Sequence, residues 1–169
     1  GAAGGRGRGA CLWALMPGLL PFFFYCTLLD GSDNQVAREV HRLLEPLGAA
    51  TARGALYAVP DAAGWFPAMV AEEGAVHGRL YAPRAEFCAA DLARLDAYED
   101  YDPADLAGSL YLRVGIALAG GGKAQAYRFN QPLPEGARPI PGGDFSAWLA
   151  ETGLAPFTGL REAGAQREI

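Results

Sequence analysis

The sequence predicts an α+β domain in which a small, curved, mixed β-barrel of five to six short strands is flanked by helices. Short apolar and aromatic runs recur along the chain, and turns rich in Pro, Asp and Gly separate most of them. Two longer segments instead carry apolar residues at helical spacing. Because strands and helices do not alternate regularly, a doubly wound parallel sheet is excluded, and a curved sheet or small barrel is favoured.

The elements are predicted from the period of their apolar residues. The strands are expected at residues 22–27, 52–59, 66–70, 76–82, 110–118 and 124–129. A first helix starts after Asp33 and continues through Leu47 until Gly48 ends it, and a second covers residues 85–98 with Phe87, Leu92 and Leu95 on its inner face. A glycine triplet at 120–122 is expected to turn a hairpin, a proline-containing loop follows at 130–143, and a short helix covers 145–149.

The 169 residues fit one domain with a sizeable core. We expect residues 1–15 to be a flexible extension or an expression remnant, 16–150 the domain and 151–169 a tail. Residues 10–29 carry no charge, so a signal peptide or membrane anchor is an alternative, but Pro17, Gly18 and Pro21 interrupt a helix there. We therefore predict a soluble, cytoplasmic protein without membrane attachment.

The composition limits the kinds of ligand and partner that this protein is expected to bind. The net charge of −5 argues against nucleic acid, and the basic cluster at Arg6 and Arg8 lies among glycines. Three cysteines without CxxC spacing fit a reducing compartment, and with two histidines they make no recognisable metal-ligand set. The sequence also lacks a glycine-rich phosphate-binding motif. No metal and no cofactor are predicted, and the oligomeric state is not indicated.

The candidate catalytic residues are acidic side chains around the end of the second predicted helix. Acids at a helix C-terminus oppose the helix dipole, so local rules do not explain them. If Glu99 turns inward, burial and neighbouring like charges would favour its protonated form, as a proton-transfer residue requires. A solvated, non-functional helix end is the alternative. We interpret His41 and His77 as surface residues and Cys88 as a core residue.

Five short motifs in order carry a resemblance to the gamma-glutamylcyclotransferase-like family, over about residues 20–130. They are FYCTLL at 24–29, GALY at 54–57, VHGRLY at 76–81, LDAYE at 95–99 and YLRV at 111–114. The resemblance implies a compact β-barrel with one pocket for a small gamma-glutamyl substrate. It implies that backbone N–H groups of Tyr25, Cys26, Thr27 and Leu28 hold the gamma-glutamyl group and that Glu99 is the general acid/base. We also assign Tyr127 to the substrate-binding set.

The implied reaction is intramolecular aminolysis of a gamma-glutamyl amino acid or amine, which releases 5-oxoproline and uses no cofactor. In this chain Cys26 takes the place of the family's loop glycine, where a side chain opposes close approach of ligand and backbone. Natural variation with a reshaped pocket, an engineered substitution and loss of activity are three explanations. A cysteine nucleophile is a fourth, and a non-catalytic binding or interaction protein on the same scaffold is the alternative function.

Overall fold

A computed structural model describes residues 19–25 and 35–158. Within these ranges the strands are β1 (Phe22–Phe24), β2 (Leu44–Asp61), β3 (Gly64–Pro83), β4 (Tyr111–Ala117), β5 (Lys123–Phe129) and β6 (Arg138–Pro139). The helices are α1 (Gln35–Arg42), α2 (Ala89–Tyr98) and α3 (Phe145–Thr152). The six strands form one mixed sheet in the order β4-β5-β1-β3-β2-β6, curled into a half-barrel. The predicted α+β class with a curved mixed sheet is confirmed.

The curl brings the end of β4 back to β2, although three strands separate them in the sheet. Ala52 and Leu118 form an antiparallel bridge, and the Ala119 amide donates to the Thr51 carbonyl at 2.8 Å. Strand twist accumulates across a sheet, so six twisted strands readily bring their ends together. The concave face is therefore partly enclosed.

Strand β1 lies in the middle of the sheet, antiparallel to β3 and parallel to β5. Its three phenylalanines are all buried, because the sheet is covered on both faces. Phe22 and Phe24 pack into one apolar cluster with α1 and α2, whereas Phe23 packs into a second cluster with α3. A run of consecutive aromatic residues is thus the signature of a central strand with no solvent-facing side.

Strands β2 and β3 form a long hairpin with one large irregularity. Arg53 pairs with Ala75 and Ala55 pairs with Val70, so four residues of β3 bulge out opposite Gly54. Gly54 and Gly74 both have φ of 152°, and a Cβ on Gly74 would lie 2.7 Å from the Gly54 carbonyl oxygen. Glycine is required at this close backbone crossing. The predicted strands at 66–70 and 76–82 are two parts of the single strand β3, so the expectation of two separate strands was wrong, and the bulge lies between those two parts.

The first helix is shorter than predicted. It ends at Arg42, and β2 begins at Leu44, so the expectation of a helix as far as Leu47 was wrong. Pro46 explains the difference, because proline lacks a donor N–H and disfavours helical geometry in the residue before it. The apolar spacing of Leu43, Leu44 and Leu47 fitted a helix, but Leu47 is exposed.

The remaining predicted elements are present with different limits, and the short strand β6 lies within the predicted loop at 130–143. Helix α2 starts at Ala89 rather than residue 85, because Cys88 forms its N-cap, and Phe87 is fully buried just before it. The β4–β5 hairpin turns through the glycine triplet. Helix α3 continues to Thr152, and Pro156 pairs with Trp65, so residues beyond 150 contact the sheet. The limits of the predicted extension, domain and tail stay predictions.

Candidate active site

The acids of the LDAYE motif lie on the last turn of α2 and its C-cap. Leu92, Leu95, Asp96 and Glu99 are all buried, because residues three and four apart share one face of a helix. The apolar residues of this face anchor α2 in the core. The same packing takes two carboxyl groups out of water, and Glu99 is left only 7% exposed.

A Schellman motif ends α2 at this point. Glu99 is the C-cap, and the following Asp100 has a left-handed φ of 55°. The Asp100 amide donates to the Ala97 carbonyl at 3.1 Å, and the Tyr101 amide donates to the Asp96 carbonyl at 2.9 Å. These two bonds satisfy carbonyls that a helix end leaves open. The motif therefore sets the backbone of Glu99 relative to Asp96, although aspartate replaces the usual glycine.

The Asp96 carboxylate accepts three hydrogen bonds from the β4–β5 hairpin. Arg113 donates from Nε at 2.9 Å and from Nη2 at 3.4 Å, and the Tyr127 hydroxyl donates at 2.6 Å. Arg113 and Tyr127 are paired residues of adjacent strands, so both reach the same acid. A buried carboxylate needs such donors to offset its lost hydration.

The network continues to the segment that enters β1. Arg113 Nη1 donates to the Gln125 side-chain oxygen at 3.0 Å, and Gln125 Nε2 donates to the Leu20 carbonyl at 2.7 Å. Among the described residues, no buried side-chain nitrogen or oxygen lacks a hydrogen-bond partner. A fully satisfied buried polar network holds one geometry, since any displacement leaves a group unpaired. We name Asp96, Arg113, Gln125 and Tyr127 the acid-anchoring network.

Tyr25 connects the end of β1 to this network. Its hydroxyl donates a short hydrogen bond to the Tyr127 carbonyl and accepts one from the Met69 amide at 3.3 Å. Tyr25 is buried and precedes Cys26, Thr27 and Leu28, which lie outside the described residues. The binding roles of these three residues therefore stay predictions.

Burial and charge determine the protonation of the donors. Burial, then the charge and hydrogen bond of Asp96 and the charge of Glu99, raise the pKa of Tyr127 far above its usual value. Its hydroxyl therefore remains a hydrogen-bond donor. Burial opposes the charge of Arg113, but the hydrogen bond and charge of Asp96 outweigh this effect and raise the pKa of Arg113. The contribution of Glu99 to Tyr127 places both carboxyls within electrostatic reach of one phenol.

The structure thus brings three of the predicted site residues together. The Tyr25 hydroxyl bonds to the Tyr127 carbonyl, and the charge of Glu99 contributes to the raised pKa of Tyr127. Sequence reasoning did not assign a role to Asp96 or Gln125, although Asp96 stands in the LDAYE motif. The sequence did contain one signal for the network. Two acids lie three residues apart at the end of the predicted second helix, and an arginine follows in the next predicted strand.

The other polar candidates lie elsewhere. His77 is exposed, as expected, with Nδ1 3.2 Å from the Thr51 hydroxyl. His41 is half-buried and packs edge-on against Tyr81 at 5.4 Å between ring centroids, so its interpretation as a surface residue was wrong. Its ring also lies 6.3 Å from that of Phe24 between centroids, so His41 packs over the central strands β1 and β3. Cys88 is half-buried rather than core, with its Sγ 3.1 Å from Asp91 Oδ2.

A separate cleft of about 200 Å³ opens between β4 and the irregular part of the β2–β3 hairpin. Its lining includes Arg53, Met69 and Arg128. Of the predicted site residues that the structure describes, Tyr25, Glu99 and Tyr127 do not line this cleft.

Two further properties concern the described ranges as a whole. Across residues 19–25 and 35–158, no group of three His, Cys, Asp or Glu side chains is arranged to ligate a metal ion. No helix in the same ranges combines the length and apolarity needed to cross a bilayer.

Similar folds occur in several solved structures. An uncharacterised protein from Pyrococcus horikoshii is 18% identical with a TM-score of 0.54, over 79% of this chain and 96% of that one. The ytfP protein of Escherichia coli is 26% identical with a TM-score of 0.52, over 75% of this chain and 96% of that one. Allophanate hydrolase of Kluyveromyces lactis is 12% identical with a TM-score of 0.59, over 80% of this chain but 22% of that one.

A comparison with curated proteins finds no match. A family model described as gamma-glutamyl cyclotransferase, AIG2-like, matches residues 22–147. The match runs from the first residue of β1 into α3, and it includes Glu99 and the acid-anchoring network. It covers well over half of the 169 residues. The chain therefore belongs to the AIG2-like gamma-glutamyl cyclotransferase family.

Proposed function

We propose that this protein is a gamma-glutamyl cyclotransferase that uses Glu99 as its general acid/base. The observation that carries the proposal is the burial of the Glu99 carboxyl at the C-cap of α2, beside the acid-anchoring network. Membership of the family supports the reaction class. The substrate is a gamma-glutamyl amino acid or gamma-glutamyl amine, and the products are 5-oxoproline and the free amino acid or amine.

The substrate carries its own nucleophile. Its alpha-amine attacks the gamma-carbonyl carbon, a new C–N bond closes the five-membered lactam, and the bond to the leaving amine breaks. The enzyme has only to hold the chain in a folded, near-attack conformation, because the reaction is intramolecular. Glu99 accepts a proton from the attacking nitrogen and returns one to the departing nitrogen. The proton taken from the attacking nitrogen is balanced by the proton given to the departing nitrogen, so the step needs no other reactant.

The hydrogen bonds of Asp96 argue against this carboxylate as the acid/base residue. Asp96 accepts three hydrogen bonds, two of them from a guanidinium that remains charged. Proton transfer through Asp96 would break a buried ion pair, which is costly because it leaves the partner charge uncompensated. Glu99 is the second buried carboxyl of the same helix end, and a buried carboxyl is suited to act as a base near neutral pH.

The loop after β1 completes the proposed site. Backbone N–H groups of residues 25–28 would bind the gamma-glutamyl group and stabilise the oxyanion of the tetrahedral intermediate. The hydrogen bonds of Tyr25 to Met69 and Tyr127 support this proposal, because they anchor the residue from which the loop departs. Tyr127 belongs to the same proposed set.

The test measures 5-oxoproline release from a panel of gamma-glutamyl amino acids and amines. Glu99→Gln keeps the size of the side chain but removes the base, and it is expected to lower kcat by about 100-fold or more. Glu86→Gln makes the same change at an exposed position before α2 and should leave kcat unaltered. Equal activity of the two variants would refute the acid/base assignment.

The second candidate is a non-catalytic small-molecule-binding protein on the same scaffold, and Cys26 is the observation that favours it. A parent that is inactive while Cys26→Gly releases 5-oxoproline would mean that Cys26 blocks a competent site. If both folded proteins are inactive across the panel, the cyclotransferase proposal fails. A rise in melting temperature with the same compounds would then support the binding function.

A further inference from the structure

We propose that the cleft between β4 and the irregular part of the β2–β3 hairpin binds a small dicarboxylic amino acid such as L-glutamate. The cleft measures about 200 Å³, which is less than the roughly 300–1,000 Å³ of pockets for drug-sized ligands. A ligand the size of a single amino acid therefore suits it. Because Tyr25, Glu99 and Tyr127 do not line the cleft, the inference does not depend on the proposed function.

Two arginines contribute positive charge to the cleft. Arg53 reaches it from β2 and Arg128 from β5. In the part of the chain that the structure describes, neither side chain forms an ion pair or a hydrogen bond, whereas Arg94 and Arg113 are each paired with a carboxylate. A guanidinium binds a carboxylate through two parallel N–H donors. Two such groups at one cleft therefore predict a ligand that carries two carboxylates.

Glu72 adds one negative charge to the same lining. Its Oε2 accepts a hydrogen bond from the Tyr57 hydroxyl at 2.9 Å, which fixes the carboxylate beside the cleft. Its Oε1 has no hydrogen-bond partner within the described ranges, so it can accept from an ammonium group. Two guanidinium groups and one carboxylate complement the two carboxylates and one ammonium of an acidic amino acid. A dicarboxylate without the ammonium would instead face like charge at Glu72.

Apolar side chains form another part of the lining. Met69 and Ile116 are buried, and Val70 is half-buried. They offer a surface for the methylene groups between the two carboxylates of the ligand. A small number of charged groups around an apolar wall is the usual composition of a site for a small molecule.

Gly115 is an independent observation in favour of a ligand. It lines the cleft from within β4, has no positive φ, and lies where β4 and β5 pair in regular register. A Cβ at this position would meet no atom within 4 Å. Neither backbone conformation nor packing therefore requires glycine here. Glycine inside a strand weakens it, and it often marks a place where a ligand closely approaches the backbone.

The test is isothermal titration calorimetry of the full chain with L-glutamate at about pH 7, where the carboxylates and the ammonium are ionised. We expect saturable binding with a Kd of about 1 mM or tighter. L-Glutamine keeps the ammonium but lacks the second carboxylate, and glutarate keeps both carboxylates but lacks the ammonium. Each should bind at least about 10-fold more weakly, because each loses an interaction between charged groups.

Three variants change the cleft itself. Arg53→Gln and Arg128→Gln should each weaken L-glutamate binding by about 10-fold or more. Gly115→Ala adds a methyl group that meets no protein atom, so the melting temperature should be kept while the Kd rises by about 10-fold. Arg38→Gln is the matched control, because Arg38 is an exposed arginine of α1 that does not line the cleft.

Glu99→Gln separates this site from the proposed active site and should bind L-glutamate as the parent does. Weaker binding in the three cleft variants, with the parent's Kd in Arg38→Gln and Glu99→Gln, would support the proposal. No saturable binding by the parent up to about 10 mM would overturn it, as would a Kd that Arg53→Gln and Arg128→Gln leave unchanged. Equal affinity for L-glutamine or glutarate would overturn the assigned class of ligand.

Discussion

Replacing Gly78 with alanine tests how closely the strands around β1 are packed. A Cβ at this position would lie 2.3 Å from the Phe24 carbonyl oxygen and 2.7 Å from the ring of Phe23. Both distances are about 1 Å inside ordinary van der Waals contact. One obstacle is backbone and the other is a fully buried ring, so neither can move without disturbing the central strand.

The expected cost is at the upper end for overpacking, about 3 kcal/mol in the free energy of unfolding. For a chain of this size that corresponds to a melting temperature lower by about 6 to 12 °C. Because Phe24 precedes Tyr25, displacement of the carbonyl should also weaken binding of the gamma-glutamyl group in the proposed enzyme.

Gly115→Ala makes the same substitution in β4, where a Cβ would meet no atom within 4 Å. This control should be neutral or slightly stabilising, because alanine restricts the unfolded chain. Denaturant and thermal unfolding of both variants provide the measurement. Equal stability of Gly78→Ala and Gly115→Ala would show that the close approach at Gly78 does not limit the fold.

Two further predictions concern stability. Asp144 caps α3 by accepting a hydrogen bond from the Ala147 amide at 3.0 Å. Asp144→Ala should therefore lower the free energy of unfolding by about 1 kcal/mol. An unchanged denaturation midpoint would contradict this capping role. The raised pKa of Tyr127 means that the native state keeps a proton which the unfolded chain loses. Above about pH 10 the free energy of unfolding should therefore fall by about 1.4 kcal/mol per pH unit through this residue, while at lower pH it contributes no slope. In denaturant titrations from pH 8 to 11.5, Tyr127→Phe should match the parent slope below about pH 10 and show a slope shallower by that amount above it. Identical slopes above about pH 10 would count against a protonated, buried Tyr127.

Local sequence patterns predicted the structure correctly where a residue type has a single physical reason to occupy its position. The consecutive phenylalanines of β1 indicated a strand buried on both faces, and the glycine triplet after β4 indicated a hairpin turn. Local patterns failed at residues 43–47, where apolar spacing fits a helix but strand β2 begins at Leu44 instead. A period alone does not distinguish a helix from an irregular strand over so short a run.

For a similar reason, only part of the candidate site could be predicted from the sequence. Glu99 stood out because an acid at a helix C-terminus opposes the helix dipole. Asp96 did not stand out, because its partners Arg113 and Tyr127 are 17 and 31 residues away along the chain. A hydrogen-bond network across two strands and a helix has no local period that sequence reasoning could detect.

The amino-acid sequence by itself determined the α+β class, most of the strands, the order of the family motifs and the candidacy of Glu99. These depend on local spacing and on residue types whose preferences act over a few neighbours. Only the tertiary structure decided that Asp96 is held by Arg113 and Tyr127, and that Tyr25 and Asp96 meet the same residue of β5. Which partners a buried polar group finds depends on how the sheet curls and where α2 packs against it, and both are set by the burial of the whole core rather than by any single segment.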